Sequence, residues 1–149
     1  METRYEFKPI GYVHSDLTTR EEALKSKTAE NLGTLEILPE FEEGLSDLEG
    51  FSHIYVVFWL HKAVFKTLKV IPIFFPEKER GIFATRHPDR PNPIGVTIVE
   101  LLEIEGNILK VKGVDMFDGT PILDIKPYME REYKNNAKFG WLTGKRFDK

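Results

Sequence analysis

The chain has 149 residues, the size of one ordinary domain, with 21 Lys and Arg against 24 Asp and Glu for a net charge of −3. At 41% hydrophobic residues it can build a packed core without a disulfide or metal staple. It has no cysteine, which excludes disulfide scaffolds, thiol catalysis and thiolate zinc sites.

The first residues, Met1-Glu2-Thr3-Arg4-Tyr5-Glu6-Phe7-Lys8, alternate charge with bulk and hold no apolar signal-peptide core, so a cytoplasmic chain is expected. Residues 5–14 read as the first strand. Thr18 and Thr19 ahead of Glu21 and Glu22 predict a short helix, with acids at its N-terminal end. A strand follows at 34–38, and Pro39 with Glu42, Glu43 and Leu45 predicts one or two helical turns. The run 51–60 is apolar on both sides of its pleat, as in a strand covered on both faces. Its uninterrupted apolar part, 54–60, is far short of the ~20 residues that span a bilayer, so no membrane role is expected.

Residues 81–85 read as another strand. Residues 94–104 and 108–114 are β-branched and partly alternating, and the Glu105-Gly106-Asn107 link between them signals a hairpin. Asp118-Gly119 marks a second tight turn, leading into a strand at 121–125. About seven short strands and few helices predict an all-β fold, closed into a barrel so that its edges are protected. The expected division is a barrel domain over residues 1–130, with 131–149 as a basic C-terminal tail of the same domain.

Charge is uneven along the chain. Residues 21–50 hold nine acids against Lys25 and Lys27, whereas 61–90 and 131–149 each carry +4. If the two basic segments meet in space, a near-neutral protein presents a basic face to an anion; otherwise the charges are a solvated surface of mixed sign.

The histidines, His14, His53, His61 and His87, show no close ligand spacing. His53 and His61 would lie roughly 26 Å apart at ~3.3 Å per residue, and no metal site is expected. Neither a dinucleotide fingerprint, a P-loop nor a serine-nucleophile elbow is present. The most unusual stretch is Gly81-Ile-Phe-Ala-Thr-Arg86-His-Pro-Asp-Arg90-Pro-Asn92-Pro-Ile-Gly95. Pro88, Pro91 and Pro93 stiffen a loop that presents Arg86 and Arg90, whose planar guanidinium groups suit a carboxylate or phosphate, with Asn92 fixed between two prolines. The plain alternative is a rigid surface loop in which Asp89 pairs with one of those arginines. Asp124 and Lys126 share one strand face and form either a salt-linked edge or a site wall. His61-Lys62 is either a solvated strand end or a site rim.

Phe51-Ser-His-Ile, Phe58-Trp-Leu-His61, Ala84-Thr-Arg86, Arg90-Pro-Asn-Pro-Ile-Gly95 and Asp118-Gly-Thr-Pro-Ile-Leu-Asp-Ile-Lys-Pro-Tyr128, in that order, resemble the TsaA-like family, which includes the TrmO-type tRNA methyltransferases. The resemblance covers the chain to about Tyr128. It implies a single-sheet β-barrel with short peripheral helices, a homodimer, and S-adenosyl-L-methionine as cofactor. It also implies methylation of the exocyclic nitrogen of threonylcarbamoyladenosine beside the tRNA anticodon. By motif match the cofactor contacts would be His61, Lys62, Arg86, Val96, Asp118, Gly119 and Thr120. An early loop that is commonly Pro-Arg-Gln in the family also contributes cofactor contacts, and it reads Leu24-Lys25-Ser26 here; bacterial relatives carry an additional C-terminal domain, where this sequence has a short basic tail.

An arginine loop, glycine turns and acidic or aromatic neighbours match the carboxylate, adenine and sulfonium of that cofactor. Asp118, Lys126 or a water is expected to remove the acceptor's proton, with Arg86 and Arg90 positioning the reactants and Arg90, Asn92 and Tyr128 touching substrate. Tyr128 or Trp141 is available to stack on a splayed anticodon-loop base, although Trp141 also suits pinning the tail to the barrel. The alternatives are a non-catalytic nucleotide- or RNA-binding barrel module and a small-molecule methyltransferase.

Overall fold

The computed structural model describes residues 2–147; Met1 and the last two positions of the expected tail, Asp148 and Lys149, lie outside the described residues. In chain order the elements are β1 (Gly11–His14), α1 (Arg20–Lys25), β2 (Leu32–Ile37), β3 (His53–Trp59), the two-residue β4 (Lys69–Val70) and β5 (Arg80–Gly81), β6 (Ile94–Glu105), β7 (Ile108–Lys112) and β8 (Pro121–Pro127). Short 3₁₀ segments punctuate the connections, among them the seven-residue Pro39–Leu45 and the single turn Ile82–Ala84.

Six strands close an antiparallel barrel in the order β1-β2-β7-β6-β3-β8, while β4 and β5 form a separate ribbon. Closure removes the free strand edges that a small open sheet would expose. Alternate residues point inward, and Val13, Leu35, Ile37, Ile54, Val56, Val99, Leu109, Val111 and Ile122 form a fully buried centre. The hairpin at Glu105-Gly106-Asn107 is present, with Gly106 at φ +62°, and so is the turn at Gly119, φ +83°. Helix α1 starts at Thr19, which forms a reciprocal capping box with Glu22.

Three sequence expectations are corrected. The first strand spans only Gly11–His14: Pro9 has no N–H for a ladder, and Tyr5 and Phe7 lie exposed ahead of it. Residues 81–85 are not a strand beyond Gly81; the Thr85 hydroxyl donates to the Ile82 carbonyl at 2.8 Å and closes a 3₁₀ turn. The run 51–60 is covered on one face only. Ile54, Val56 and Phe58 are inside, whereas Trp59 on β3 and Ile94, Val96 and Ile98 on the facing β6 are exposed.

Register places three connections at one end of the barrel: residues 15–31 between β1 and β2, 60–93 between β3 and β6, and 113–120 between β7 and β8. The β2–β3 connection and the β6–β7 turn lie at the other end, where β8 also runs out into the tail.

Candidate functional site

The proline-rich loop is folded by its own polar groups. Buried Thr85 accepts the His87 amide on its hydroxyl at 3.1 Å and the Arg90 guanidinium on its carbonyl at 2.8 Å; Arg90 also donates to the His87 carbonyl at 3.1 Å. Arg90 is therefore committed to bracing the loop. Asp89 pairs with neither loop arginine: it accepts from Arg20 at 2.7 Å and from the Val64 amide at 3.0 Å, tying the loop to α1. Burial would raise its pKa, but the hydrogen bonds from Arg20 and Val64, with the positive charge beside it, hold it below the ordinary carboxylate value. Burial lowers the pKa of His87, whose Nδ1 accepts the Asp89 amide at 3.2 Å.

Arg86 is the exception. It is exposed, makes one long hydrogen bond to the Val96 carbonyl at 3.3 Å, and has no carboxylate partner among the described residues. Asn92, later in the same loop, is also exposed.

The 113–120 connection is locked to β1 and the residues after it. The Asp118 amide donates to the Leu17 carbonyl and that of Gly119 to the Val13 carbonyl, both at 2.7 Å, and the buried Thr120 hydroxyl donates to the Phe117 carbonyl. The half-exposed Asp118 carboxylate accepts the Ser15 amide on Oδ1 at 3.1 Å. Lys62 joins all three connections, donating to the Thr18 carbonyl at 2.9 Å while its ammonium lies 4.9 Å from the centre of the Phe117 ring. His61 packs edge-on against Trp59. The Leu24-Lys25-Ser26 segment belongs to α1 and its C-cap: Leu24 is exposed, Lys25 pairs with Glu21, and the Ser26 hydroxyl donates to the Ala23 carbonyl. A cavity of about 70 Å³, lined by Ser15, Asp16, Leu17, Asn31, Leu32 and Val114, opens at this same end.

Arg86, Arg90, Asn92, Lys62, Asp118, Gly119 and Thr120 thus sit on connections that share one barrel end. Lys126 and Tyr128 do not join them. Lys126 is five residues beyond Pro121, about 17 Å along β8 at ~3.4 Å per residue, on the outer wall. There it pairs with Asp124 at 2.9 Å, whose hydrogen bond and charge raise its pKa, so the Asp124–Lys126 face is a salt-linked wall. Tyr128 packs its ring against His53 and Tyr55.

Sequence reasoning missed His14 as a neighbour of Asp118. Its Nε2 lies 2.7 Å from Glu36 and its Nδ1 3.8 Å from Asp118. The only sequence signal was its place at the end of a strand. The two basic segments do meet: Trp141 donates to the Ala84 carbonyl at 2.8 Å, Arg80 lies 4.5 Å from the Trp141 ring centre, and Phe147 packs on Phe74 and Phe75. Among the described residues no cluster of three or more His, Asp and Glu is placed to hold a metal, and no helix is long and apolar enough to cross a membrane.

The closed antiparallel barrel thus carries, on a self-braced loop at one end, an uncompensated guanidinium of the kind that suits an anionic ligand. Comparisons with known proteins narrow this. The model of the tRNA-methyltransferase O N-terminal domain matches residues 12–132. A probable S-adenosyl-L-methionine-binding protein of Pyrococcus abyssi is 47% identical over 139 residues, covering 91% of this chain and 75% of that protein. The mouse tRNA (adenine(37)-N6)-methyltransferase is 39% identical over 130 residues, which is 82% of this chain and 30% of that protein. The crystal structure of TrmO from Pseudomonas aeruginosa superposes with a TM-score of 0.77 at 35% identity, over 93% of this chain and 63% of that one. The chain belongs to the tRNA-methyltransferase O N-terminal domain family.

Proposed function

We propose that this chain is an S-adenosyl-L-methionine-dependent tRNA methyltransferase acting in the cytoplasm on the exocyclic nitrogen of threonylcarbamoyladenosine beside the anticodon. The observation that carries this reading is Arg86, a guanidinium with no carboxylate partner among the described residues, held out by a loop that closes on itself through Thr85 and Arg90. The names of the Pyrococcus and mouse relatives supply the cofactor and substrate class.

The donor set fits such a cofactor. Arg86 offers a fork to a carboxylate, Lys62 and His61 rim the same end, and the positive-φ Gly119 keeps a side chain away from the turn. Val96 and Thr120 fix that wall from β6 and the turn, and the α1 segment of Leu24, Lys25 and Ser26 flanks it. S-adenosyl-L-methionine, when bound, supplies a methyl group activated by its sulfonium, and its transfer to an amine nitrogen releases one proton. Asp118 takes that proton on Oδ2, its Oδ1 being engaged by the Ser15 amide. Lys126, held as an ammonium by Asp124, is unsuited to the task, and Tyr128 stays outside the proposed constellation. Positioning of acceptor and donor by Arg86, Asn92 and the braced loop is worth roughly 7–11 kcal/mol of barrier when fully realised.

The working unit of this reading is a homodimer, supported by the outer apolar row Trp59–Ile94, Val57–Val96 and Tyr55–Ile98 across β3 and β6, in which Trp59, Ile94, Val96 and Ile98 are exposed. Residues 131–149 belong to the same domain, a reading supported by the docking of Trp141 on Ala84.

The test is transfer of labelled methyl to tRNA from cells lacking the modification, followed by mass spectrometry of the nucleosides. A methylated threonylcarbamoyladenosine is the expected product. Cofactor binding without transfer makes the chain a binding module, and transfer to a small molecule alone removes tRNA from the proposal.

A further inference from the structure

Phe83 is 77% exposed at the centre of the Ile82–Ala84 turn, three residues before Arg86. The turn beneath it is firmly held. Ile82 is 1% exposed and donates its amide to the Leu68 carbonyl at 2.8 Å, Thr85 is buried, and the tail's Trp141 donates to the Ala84 carbonyl. Phe83 is thus pushed outward by a rigid support, and among the described residues its ring has no aromatic or cation–π partner.

The two aromatics that the sequence singled out for stacking on a base, Trp141 and Tyr128, are already engaged. The Trp141 ring contacts both Arg80 and Phe75, and the Tyr128 ring packs on His53 and Tyr55. Phe83 belongs to segment 61–90, which carries +4 and meets the basic tail through the Trp141 contact on the neighbouring Ala84. A fixed, solvent-facing ring on a segment of net charge +4, three residues before Arg86, matches an unstacked base with its flanking phosphates, since every base offers a π-face and the phosphates draw the cations.

We infer that Phe83 is a substrate-binding residue, the platform on which a splayed base of the RNA stacks beside the methyl-transfer site. This rests on the tRNA reading above. The experiment compares the full chain with Phe83→Ala, Phe83→Leu and Phe83→Trp, by fluorescence anisotropy with a labelled anticodon stem-loop RNA and with a blunt RNA duplex. Wild type binds the stem-loop, Phe83→Ala and Phe83→Leu weaken it about tenfold or more, and Phe83→Trp restores it. Duplex binding, the salt slope and the affinity for S-adenosyl-L-methionine stay at wild-type values. Wild-type stem-loop affinity in Phe83→Ala overturns the inference and leaves the tRNA reading standing. A wild-type chain that binds no RNA removes the tRNA reading, and this inference with it. A change in oligomeric state of Phe83→Ala by sedimentation assigns Phe83 to a contact between copies and also overturns the inference.

Discussion

Arg20 decides what the proline-rich loop can do. By taking Asp89 at 2.7 Å it leaves Arg86 without an internal counter-charge, whereas Asp89 paired to Arg86 would have neutralised the loop. Arg86→Ala is expected to weaken cofactor binding by about tenfold to a hundredfold, the size of a lost charge-assisted hydrogen bond, and Arg86→Lys to restore part of it, since an ammonium lacks the planar fork. Titration calorimetry with S-adenosyl-L-methionine reads this, and an unchanged affinity in Arg86→Ala rejects the assignment. The same loop is sensitive to acid. His87 is held below its ordinary 6.5 by burial, so its stabilising contribution is complete above 6.5 and is lost as pH falls through its lower folded value. Asp89, depressed below its ordinary 3.8 chiefly by Arg20 and Val64 against the effect of burial, adds a second loss at still lower pH. His87→Gln, which retains an acceptor for the Asp89 amide, is expected to flatten the first of these slopes. Thermal unfolding from pH 7.5 downward compares the two chains, and parallel curves would count against a neutral His87.

At the scale of elements, the barrel depends on a close approach of β3 and β6. Gly95 faces Phe58 in register, and a methyl group built on Gly95 would run into the Phe58 ring, which is 6% exposed and packed in the core. Gly95→Ala is expected to cost about 1–3 kcal/mol, the range for overpacking, measured by urea unfolding. A wild-type midpoint would mean that the ring has room to move. The tail makes a second long-range link, from the far end of β8 to the β3–β6 connection. Trp141→Phe keeps a ring for Arg80 but removes the N–H to the Ala84 carbonyl. It is expected to lower stability by about 1 kcal/mol and Tm by about 3 °C, and to speed hydrogen exchange of the Thr85 and His87 amides. Exchange at the wild-type rate would show that the tail does not hold the loop.

For the whole molecule, two surfaces bear on assembly and RNA binding: the apolar outer face of β3 and β6, and the region where the basic segment 61–90 meets the tail. Ile98→Asp places a charge in the outer row opposite Tyr55 and is expected to convert a dimer into monomers in sedimentation; a wild type that is monomeric at micromolar concentration removes the dimer. The net charge of −3 predicts little affinity for polyanions, but the clustered cations predict a salt-sensitive one. With about four phosphates neutralised, RNA affinity falls roughly 50-fold between ~50 and ~200 mM salt, and a flat response means that the basic face does not grip RNA.

Local chemistry was legible in the amino-acid sequence because it acts within a few residues. The turn at Gly106, the turn at Asp118-Gly119 and the Thr19–Glu22 cap all follow from neighbours in the chain, whereas the one-sided burial of β3 does not, because its residues are apolar on both faces. The choice of Arg86 as a candidate also followed from its neighbours, whereas Asp118 entered through the family resemblance. The strand expected at 81–85 failed for the same reason, since Ile-Phe-Ala-Thr carries strand propensity while a Thr85 hydroxyl bond and the tail's Trp141 favour the turn. Only the tertiary structure decided the remainder. Arg20 and Asp89 are 69 positions apart and Trp141 and Ala84 are 57 apart, distances over which propensity carries no information. Which guanidinium is left free, that Lys126 faces the outer wall away from Asp118, and that two basic segments converge are consequences of closing the sheet, because closure fixes which strand ends share a rim.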